Sequence, residues 1–388
     1  MSPTAFEFAT ATRIVFGPGR LSEAPELVRS LGGQRVLLVT GKAPARARGL
    51  KASLEALGLT VESFAVEGEP TVELVRQGLG ILGEARCDVV VAMGGGSALD
   101  AGKALAALAT QGGDPLDYLE VIGRGQPLTR ASLPFVAIPT TAGTGSEVTR
   151  NAVLGSKQAQ VKASLRGPQL LPRVALVDPD LLIGAPPAVL ASSGMDALSQ
   201  LIEPFLSARA NPLTDALARE GLRRSARSLR RAVLTEPDAE AREDLALASL
   251  FGGLCLANSG LGAVHGFAAP VGGMFDAPHG AVCAALLPAV LDVNLRALRA
   301  RAPEHPSLLR FRELAAMLTG RPDAREEDAL AWVESLRAEL QIPGLATYGL
   351  TPARLPELVT KARAASSMKA NPLTLTEAEL TEIATRSL

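Results

Sequence analysis

The chain has 388 residues, of which 47% are hydrophobic and 20% are charged, and its formal net charge is −1. This length suggests about two domains, the hydrophobic content excludes a disordered chain, and the near-neutral charge excludes a general nucleic-acid binder. The three cysteines form no CxxC pair, so we expect no disulfide framework and a reducing, cytoplasmic location.

The N-terminal segment, MSPTAFEFATATRIVFG, contains Glu7 and no long apolar run. We therefore expect no signal peptide. No stretch of about eighteen uncharged apolar residues stands out elsewhere in the chain, so we also expect no membrane-spanning segment and no membrane partner.

The first half of the chain alternates strand and helix patterns, which predicts a doubly wound parallel sheet. Continuous β-branched and apolar runs such as RVLLVT and DVVVAM are typical of parallel strands that are covered on both faces. The predicted strands are Arg13–Phe16, Arg35–Thr40, Val61–Val66, Asp88–Met93 and Pro134–Pro139, and the predicted helices are Ala45–Leu57, Val72–Ala85 and Ala98–Ala109.

The second half of the chain is predicted to be all-helical. After about Asp180 the alternation of strand and helix segments gives way to a run of helical segments. We therefore place the domain boundary in Asp180–Pro187, with an α/β domain over 1–183 and a helical domain over 184–388. The predicted helices are Ala188–Leu206, Asn211–Ala232, Ala239–Ala257, His279–Leu298, Ser307–Leu318, Glu326–Leu340, Thr351–Ala365 and Thr376–Ser387.

A glycine-rich turn, MGGGS over Met93–Ser97, joins a predicted buried strand to a predicted helix. Glycines there let backbone approach a pyrophosphate, and the start of the helix offers free N–H groups. Ser97 is predicted to cap the helix and to reach a phosphate oxygen. An ordinary strand-to-helix turn is the alternative reading, and the βαβ context favours nucleotide binding.

A second polar cluster, TTAGTGSEVT over Thr140–Thr149, follows the next predicted strand. Hydroxyl groups at the carboxyl end of a strand lie where open α/β sheets bind ligands. The alternative is a loop whose hydroxyls bond only to their own backbone. Two such loops on strands of one predicted sheet favour a ligand site.

The stretch Leu261–Ala281 contains two of the three histidines, His265 and His279, among small and apolar residues. Asp196 and Gln200 lie four residues apart and so share one face of a predicted helix. Two imidazoles and one carboxylate would suit Fe(II) or Zn(II) with positions open for water or substrate. The alternatives are histidines that serve only the core and an aspartate favoured by the helix dipole.

Together these segments resemble the iron-containing (group III) alcohol dehydrogenase family along almost the whole chain. The matching segments are Phe16-Gly17-Pro18-Gly19, GGGSALDAGK over Gly94–Lys103, PTTAGTGSEVT over Pro139–Thr149, Val177-Asp178-Pro179, GMDAL from Gly194, His265, Pro278-His279-Gly280 and Asn371-Pro372.

The resemblance implies a dinucleotide-binding domain, an all-helical metal-binding domain, a cleft between them and commonly a homodimer. It implies NAD(P)-linked interconversion of alcohols with aldehydes or ketones. The residues implied at the cofactor are Gly95, Gly96 and Ser97 at the pyrophosphate, Asp100 in the same site, Thr140, Thr141 and Thr144 at phosphate, ribose and nicotinamide, and Lys162 in the following hairpin. The implied metal ligands are Asp196, Gln200, His265 and His279, and His265 and His279 are also the implied catalytic residues.

Two positions depart from the family pattern. Gln200 stands where the family has its first histidine ligand, and its neutral amide should weaken the binding of Fe2+ or Zn2+. Ala269 stands where many members carry a further histidine, which removes a proton relay. The related maleylacetate reductases act without a metal, so the departure at Gln200 does not exclude catalysis.

Gly41, at the end of the second predicted strand, bears on the choice of dinucleotide. An acidic residue there would bind the ribose 2′-OH and reject a 2′-phosphate. Gly41 has no charge, and Lys42, Arg46 and Arg48 follow it. We therefore expect NADP rather than NAD, with ordinary solvated charges as the alternative reading.

The sequence thus predicts an NAD(P)-dependent, metal-dependent alcohol dehydrogenase that transfers hydride between nicotinamide and a small alcohol or carbonyl substrate. One alternative is a metal-independent enzyme like the maleylacetate reductases, in which His265 and His279 bind a substrate carboxylate or donate protons. Another is a catalytically silent homologue that only binds nucleotide.

Overall fold

The computed structural model describes residues 5–156, 161–235, 238–275 and 277–388, and the chain divides into two compact units. The α/β unit consists of Thr10–Thr141 and Gly145–Ile183. The helical unit consists of Ala142–Thr144, Gly184–Leu388 and the described part of Met1–Ala9.

The α/β unit contains a six-stranded parallel sheet with the order β1-β8-β5-β4-β2-β3. This arrangement confirms the predicted doubly wound sheet. A separate antiparallel pair is formed by β6 and β7. The strands are β1 (Arg13–Phe16), β2 (Arg35–Thr40), β3 (Thr60–Ala65), β4 (Val89–Gly94), β5 (Phe135–Pro139), β6 (Asn151–Ser156), β7 (Val161–Arg166) and β8 (Val174–Val177).

Both faces of the sheet are covered, which explains the unbroken apolar runs in its central strands. Leu37 and Val39 of β2 belong to one buried cluster, and Val36 and Leu38 of the same strand belong to another. Successive side chains of a strand point to opposite faces, so the strand must be apolar at every position when helices cover both sides.

Helices of the α/β unit are α1 (Ala24–Ser30), α2 (Arg48–Ala56), α3 (Val72–Glu84), α4 (Gly96–Gln111) and α5 (Pro115–Tyr118). Close packing fixes α4 directly on the sheet. A Cβ added at Gly102 would lie 2.8 Å from side-chain atoms of both Ala92 and Phe135, so only glycine lets the helix approach this closely. The start of α4 is thereby held at the carboxyl end of β4.

The helical unit contains α6 to α14 within its described residues. They are α6 (Pro187–Leu206), α7 (Pro212–Leu234), α8 (Ala239–Ser259), α9 (Ala263–Met274), α10 (His279–Arg301), α11 (Ser307–Thr319), α12 (Glu326–Glu339), α13 (Leu355–Ala364) and α14 (Glu377–Arg386). Helix α9 was not among the sequence predictions, because its glycines and its internal Pro270 have low helix propensity.

Helix α10 is the one helix in the described ranges whose length and mean hydropathy, 1.7, would suffice to cross a membrane. Within its apolar window, 89% is buried inside the protein, where α10 packs against α6, α9 and α12. The consecutive helices α8 and α9 are long and apolar enough for this only as a pair, and they are bent by 99°. The apolar character of α10 is thus accounted for by packing in the core.

Two buried ionisable side chains of the α/β unit lie close to each other. Lys103 on α4 donates a 2.9 Å hydrogen bond from Nζ to Thr149 Oγ1 and lies 3.1 Å from Asp100 Oδ1. Glu147 precedes Thr149 in the same loop and is 2% exposed. Burial raises the pKa of the Glu147 carboxyl to about 7, although nearby Lys103 acts to lower it.

The raised pKa of Glu147 predicts a pH-dependent stability. The folded protein holds this proton between the ordinary pKa of 4.5 and the shifted value of about 7, so stability present below pH 4.5 is lost as the pH rises through 7. We expect the free energy of unfolding to fall by roughly 3 kcal/mol more for the wild type than for Glu147→Gln over this range. Urea unfolding of both proteins at several pH values measures this difference in the free energy of unfolding.

Glu26→Gln is the matched control, because Glu26 is an exposed carboxylate of the same unit. Its pH profile should follow that of the wild type. Identical profiles for Glu147→Gln and the wild type would contradict the prediction.

Candidate functional site

Four potential metal-binding atoms converge between three helices of the helical unit. Asp196 lies on α6, His265 on α9, and His279 and Cys283 on α10. Asp196 Oδ1 lies 3.3 Å from His265 Nε2 and 3.8 Å from His279 Nε2, and Cys283 Sγ lies 3.7 Å from each of these nitrogens. The four atoms lie within 4.8 Å of one another.

Close packing of α10 against α6 brings this cluster together. A Cβ added at Gly280 would lie 2.3 Å from the carbonyl oxygen of Ser192 and 3.4 Å from Asp196 Cβ, so a side chain there would push the helices apart. Because His279 and Cys283 are four residues apart, both side chains lie on the face of α10 that meets α6.

Glu203 fixes the orientation of His265. Its Oε2 lies 2.6 Å from His265 Nδ1, and its Oε1 accepts a 2.6 Å hydrogen bond from the backbone N–H of Val264. A carboxylate on one ring nitrogen holds the proton there and leaves the other nitrogen free to bind a metal. The Glu203–His265 pair thus presents Nε2 to the cluster.

The start of α9 is held by side chains from distant parts of the chain. Asn371 Oδ1 accepts hydrogen bonds from the N–H of Ala263 and from Asn294 Nδ2, each 3.2 Å long. Gly262 makes room for these acceptors, since a Cβ there would lie 2.9 Å from oxygens of both Asn371 and Glu203. These bonds satisfy helix N–H groups that would otherwise lack partners and set the position of His265.

The charges of the cluster favour a cation at its centre. Burial lowers the pKa of His265, but Cys283, Asp196 and Glu203 outweigh it and hold the pKa well above its usual range. Cys283 raises the pKa of His279 to about 9 against the effect of burial. Burial acts to raise the pKa of Asp196, and His279 and His265 lower it overall. Protons and a divalent cation would therefore compete for this position.

The geometry of the donor atoms fits a small divalent cation. Ligand bonds of about 2.0–2.3 Å in a tetrahedron place donor atoms roughly 3.3–3.7 Å apart, close to the observed separations. Asp196 Oδ1 is fully buried and has no partner that meets hydrogen-bond geometry within the described part of the chain. An unpaired buried carboxylate oxygen is costly, so this atom is suited to receive a cation.

The structure brings together three of the four predicted ligands, namely Asp196, His265 and His279. Gln200 follows one turn later on α6 and is also buried. Its Oε1 has no hydrogen-bond partner among the described residues and would lie 3.5 Å from a Cβ at Gly252. The role of Gln200 as a ligand stays a prediction.

Sequence reasoning missed Cys283 and Glu203. Cys283 could have been found from its position four residues after His279, which places both side chains on one face of a helix. Glu203 could have been found from its position seven residues after Asp196, which is two turns further along the same helix.

The predicted pyrophosphate turn lies at the carboxyl end of β4. Helix α4 begins at Gly96, with Gly95 as its N-cap and no side-chain hydrogen bond at the cap. The prediction that Ser97 caps the helix was therefore wrong, because Ser97 lies inside the first turn. A Cβ at Gly95 would lie 3.3 Å from Thr141 Oγ1, and the N–H of Thr140 donates to Gly94 O at 2.9 Å.

Asp100 and Lys162 have partners within the α/β unit. The Asp100 carboxylate accepts hydrogen bonds from Ser146 Oγ (2.5 Å) and from the N–H of Val153 (2.9 Å), so it fixes the β6–β7 pair to α4. Lys162 lies on β7, as the predicted hairpin requires, and pairs with Glu69 at 3.3 Å. Thr144 belongs to the helical unit.

The edge of the sheet near Gly41 is open. Apart from its two chain neighbours, no described residue has an atom within 4 Å of a Cβ added at Gly41. Lys42 and Arg48 are exposed, whereas the Arg46 guanidinium donates to the carbonyl oxygens of Leu181 and Ile183. Of the three basic residues, Arg46 is therefore already engaged.

Two protein-family models match this chain, one over most of the α/β unit and one over most of the helical unit. The family model described as "Iron-containing alcohol dehydrogenase" matches residues 11–179, and "Fe-containing alcohol dehydrogenase family, C-terminal" matches residues 190–388. The 1,3-propanediol dehydrogenase of Klebsiella pneumoniae is 37% identical over 99% of both chains.

Two solved structures are similar over almost the whole chain. A 1,3-propanediol oxidoreductase has a TM-score of 0.90 at 35% identity, covering 99% of this chain and 100% of its own. The sulfoacetaldehyde reductase of Bifidobacterium kashiwanohense, in complex with NAD+, has a TM-score of 0.87 at 29% identity, covering 99% of each chain.

The contact between Glu203 and His265 predicts a role in metal affinity. Glu203→Gln keeps the size of the side chain but removes the charge that orients the imidazole, and we expect zinc affinity to fall by about 10- to 100-fold. Competition with a chromophoric chelator measures the affinity. Glu243→Gln, an exposed change on α8, should leave it unchanged, and equal affinities in all three proteins would contradict the orienting role.

Proposed function

Because this chain belongs to the iron-containing alcohol dehydrogenase family and is therefore an oxidoreductase acting on CH–OH groups, we propose that it interconverts a small alcohol and its aldehyde or ketone, using a nicotinamide dinucleotide and a divalent metal. The observation that carries the proposal is the buried cluster of Asp196, His265 and His279, whose donor atoms have the spacing a metal requires.

Asp196, His265 and His279 would hold Fe2+ or Zn2+, with Gln200 as a further, weaker donor. When bound, the metal polarises the carbonyl oxygen and stabilises the alkoxide. The chain's own contribution is to orient His265 through Glu203, so that Nε2 faces the metal position, and to keep the Asp196 carboxylate ionised beside two imidazoles. His279 is one-third exposed, so this side of the cluster is open to a substrate oxygen.

The dinucleotide would lie along the carboxyl end of the sheet. Backbone N–H groups of Gly95, Gly96 and Ser97 at the start of α4 would bind the pyrophosphate, and Thr140 and Thr141 would bind phosphate and ribose. Thr144 and Lys162 complete the proposed set, and Asp100 positions the loop after β5 through Ser146. The nicotinamide supplies or accepts the hydride.

We further propose a preference for NADP over NAD. No side chain at Gly41 would repel a 2′-phosphate, and the nearby Lys42 and Arg48 are exposed and available to it. Arg46 is held by backbone carbonyls and contributes less.

Composition and resemblance support the remaining parts of the proposal. The near-neutral charge and three free cysteines favour a cytoplasmic enzyme that binds no nucleic acid. The family resemblance favours a homodimer.

A metal-independent reductase of the maleylacetate reductase type is the second candidate, and Gln200 favours it. A neutral amide in place of an imidazole removes one strong ligand, and His265 and His279 would then bind a substrate carboxylate. A silent nucleotide-binding homologue would also tolerate Gln200.

The metal-dependent proposal predicts a joint loss of metal and turnover in His265→Ala. Removing the imidazole deletes one ligand and leaves Glu203 Oε2 without its contact to Nδ1. Metal content by plasma mass spectrometry should fall below about one-tenth of the wild-type value, together with kcat, since each lost ligand costs orders of magnitude in affinity. His305→Asn, which changes the third histidine outside the cluster, should retain both.

Turnover that persists in metal-free His265→Ala would contradict the metal-dependent proposal and support the second candidate. Tight NADPH binding with no turnover by the wild type over a broad carbonyl panel would support the silent homologue.

The proposed dinucleotide preference predicts the effect of Gly41→Asp. The open space at Gly41 accepts the side chain, and its carboxylate would bind a ribose 2′-OH and repel a 2′-phosphate. We expect kcat/KM for NADPH to fall at least about tenfold relative to NADH, equivalent to about 1.4 kcal/mol. Gly80→Asp adds the same charge at an open, exposed position on α3 and should not alter the ratio. An unchanged ratio in Gly41→Asp would refute the assignment.

A further inference from the structure

We propose that the Cys283 thiolate is a metal ligand in this protein, that it supplies the strong donor which Gln200 does not, and that it shifts the preference of the site towards Zn2+. The inference rests on the proposed metal centre and specifies its ligand set.

The position of Cys283 Sγ is that of a ligand. It lies 3.7 Å from Nε2 of both His265 and His279. A zinc ion with a Zn–S bond of about 2.3 Å and Zn–N bonds of about 2.0–2.1 Å separates sulfur and nitrogen donors by roughly 3.5 Å. Neither imidazole would have to move far for a single cation to reach all three atoms.

Gln200, the fourth predicted ligand, is a weaker donor than Cys283. Gln200 offers a neutral amide oxygen, whereas a thiolate carries a full negative charge and is a preferred ligand of zinc. Asp196 Oδ1 is buried, accepts no hydrogen bond that meets the geometric criteria from the described residues, and faces both imidazole nitrogens, which is a separate indication that a cation belongs at this position. With Asp196 and two imidazoles, Cys283 would complete a set of four protein ligands.

A second buried cysteine shows what a purely structural thiol looks like in the same unit. Cys255 on α8 donates a 3.3 Å hydrogen bond to the carbonyl oxygen of Thr214, and burial raises the pKa of its thiol well above the usual range. It lies outside the group of metal-binding side chains found in the described residues. Cys255 is therefore the matched control for Cys283.

Metal binding by this set requires no oxidant or reductant. The thiol of Cys283 loses its proton to solvent as the S–metal bond forms, and any imidazole protons are released in the same way. Asp196, His265, His279 and Cys283 would then hold the metal, and the one-third-exposed side of His279 would leave the cluster accessible to a substrate oxygen.

Cobalt substitution tests the inference with a readout that is independent of turnover. We would load metal-free wild type, Cys283→Ser and Cys255→Ser with Co2+ and record absorption spectra. A Co2+–thiolate bond gives a charge-transfer band in the near ultraviolet, and the visible d–d bands report metal binding whatever the ligands. We expect both bands in wild type and Cys255→Ser, and only the d–d bands in Cys283→Ser.

Zinc affinity and metal selectivity extend the test. We expect the Zn2+ dissociation constant of Cys283→Ser to rise at least about tenfold, and its preference for Zn2+ over Fe2+ to decrease. X-ray absorption on zinc-loaded wild type needs no variant, and a sulfur neighbour at about 2.3 Å is expected there.

The outcomes separate this inference from the proposed function. Metal bound without a sulfur neighbour, or a charge-transfer band that persists in Cys283→Ser, would overturn the inference and leave the metal-dependent proposal intact. A wild type that binds no metal and still turns over would overturn both.

Discussion

The candidate metal centre depends on one buried carboxylate, that of Glu203. One of its oxygens satisfies the backbone N–H of Val264, and the other holds Nδ1 of His265. A buried carboxylate without both partners would be costly, so the start of α9 and the imidazole are fixed together. The same contact that completes the helix therefore also selects which ring nitrogen faces Asp196.

The two units prepare their proposed ligand sites by different means. In the α/β unit the site is made mainly of backbone: Gly102 allows α4 to lie against the sheet, and Gly95 leaves the start of the helix without a side-chain cap. In the helical unit the site is made of side chains, which close approach at Gly280 brings together. A larger side chain at Gly102 or at Gly280 is therefore expected to disturb the proposed site of its own unit by separating the elements that form it.

Local pattern predicted most of the fold and part of the site. The strand Arg35–Thr40 was predicted at its observed ends, since burial on both faces produces a recognisable apolar run. The edge strand Arg13–Phe16, which the turn at Gly17-Pro18-Gly19 follows, was also predicted at its observed ends. Helix α9 contains proline and several glycines, so its sequence has no recognisable helix pattern. Strand β8, which is as short as β1, was not predicted. Asp196, His265 and His279 were recognisable as candidate ligands because they are ionisable residues in apolar segments. Cys283 was not, because a buried cysteine in an apolar helix resembles an ordinary core residue until the side chains on the neighbouring helices are known.

The anchoring of α9 by Asn371 has a consequence for the order of events during synthesis. Asn371 follows Ala263 by 108 residues and lies close to the C-terminal end of the chain. Domains generally fold as units from the N-terminal end as the ribosome extends the chain, so the α/β unit can form its sheet while the last turn-forming residues are still unmade. The start of α9 in the helical unit cannot gain its hydrogen bond to Asn371 until that residue has been synthesised. A nascent chain would therefore have the proposed dinucleotide site before the proposed metal site, and metal capture would follow the synthesis of Asn371.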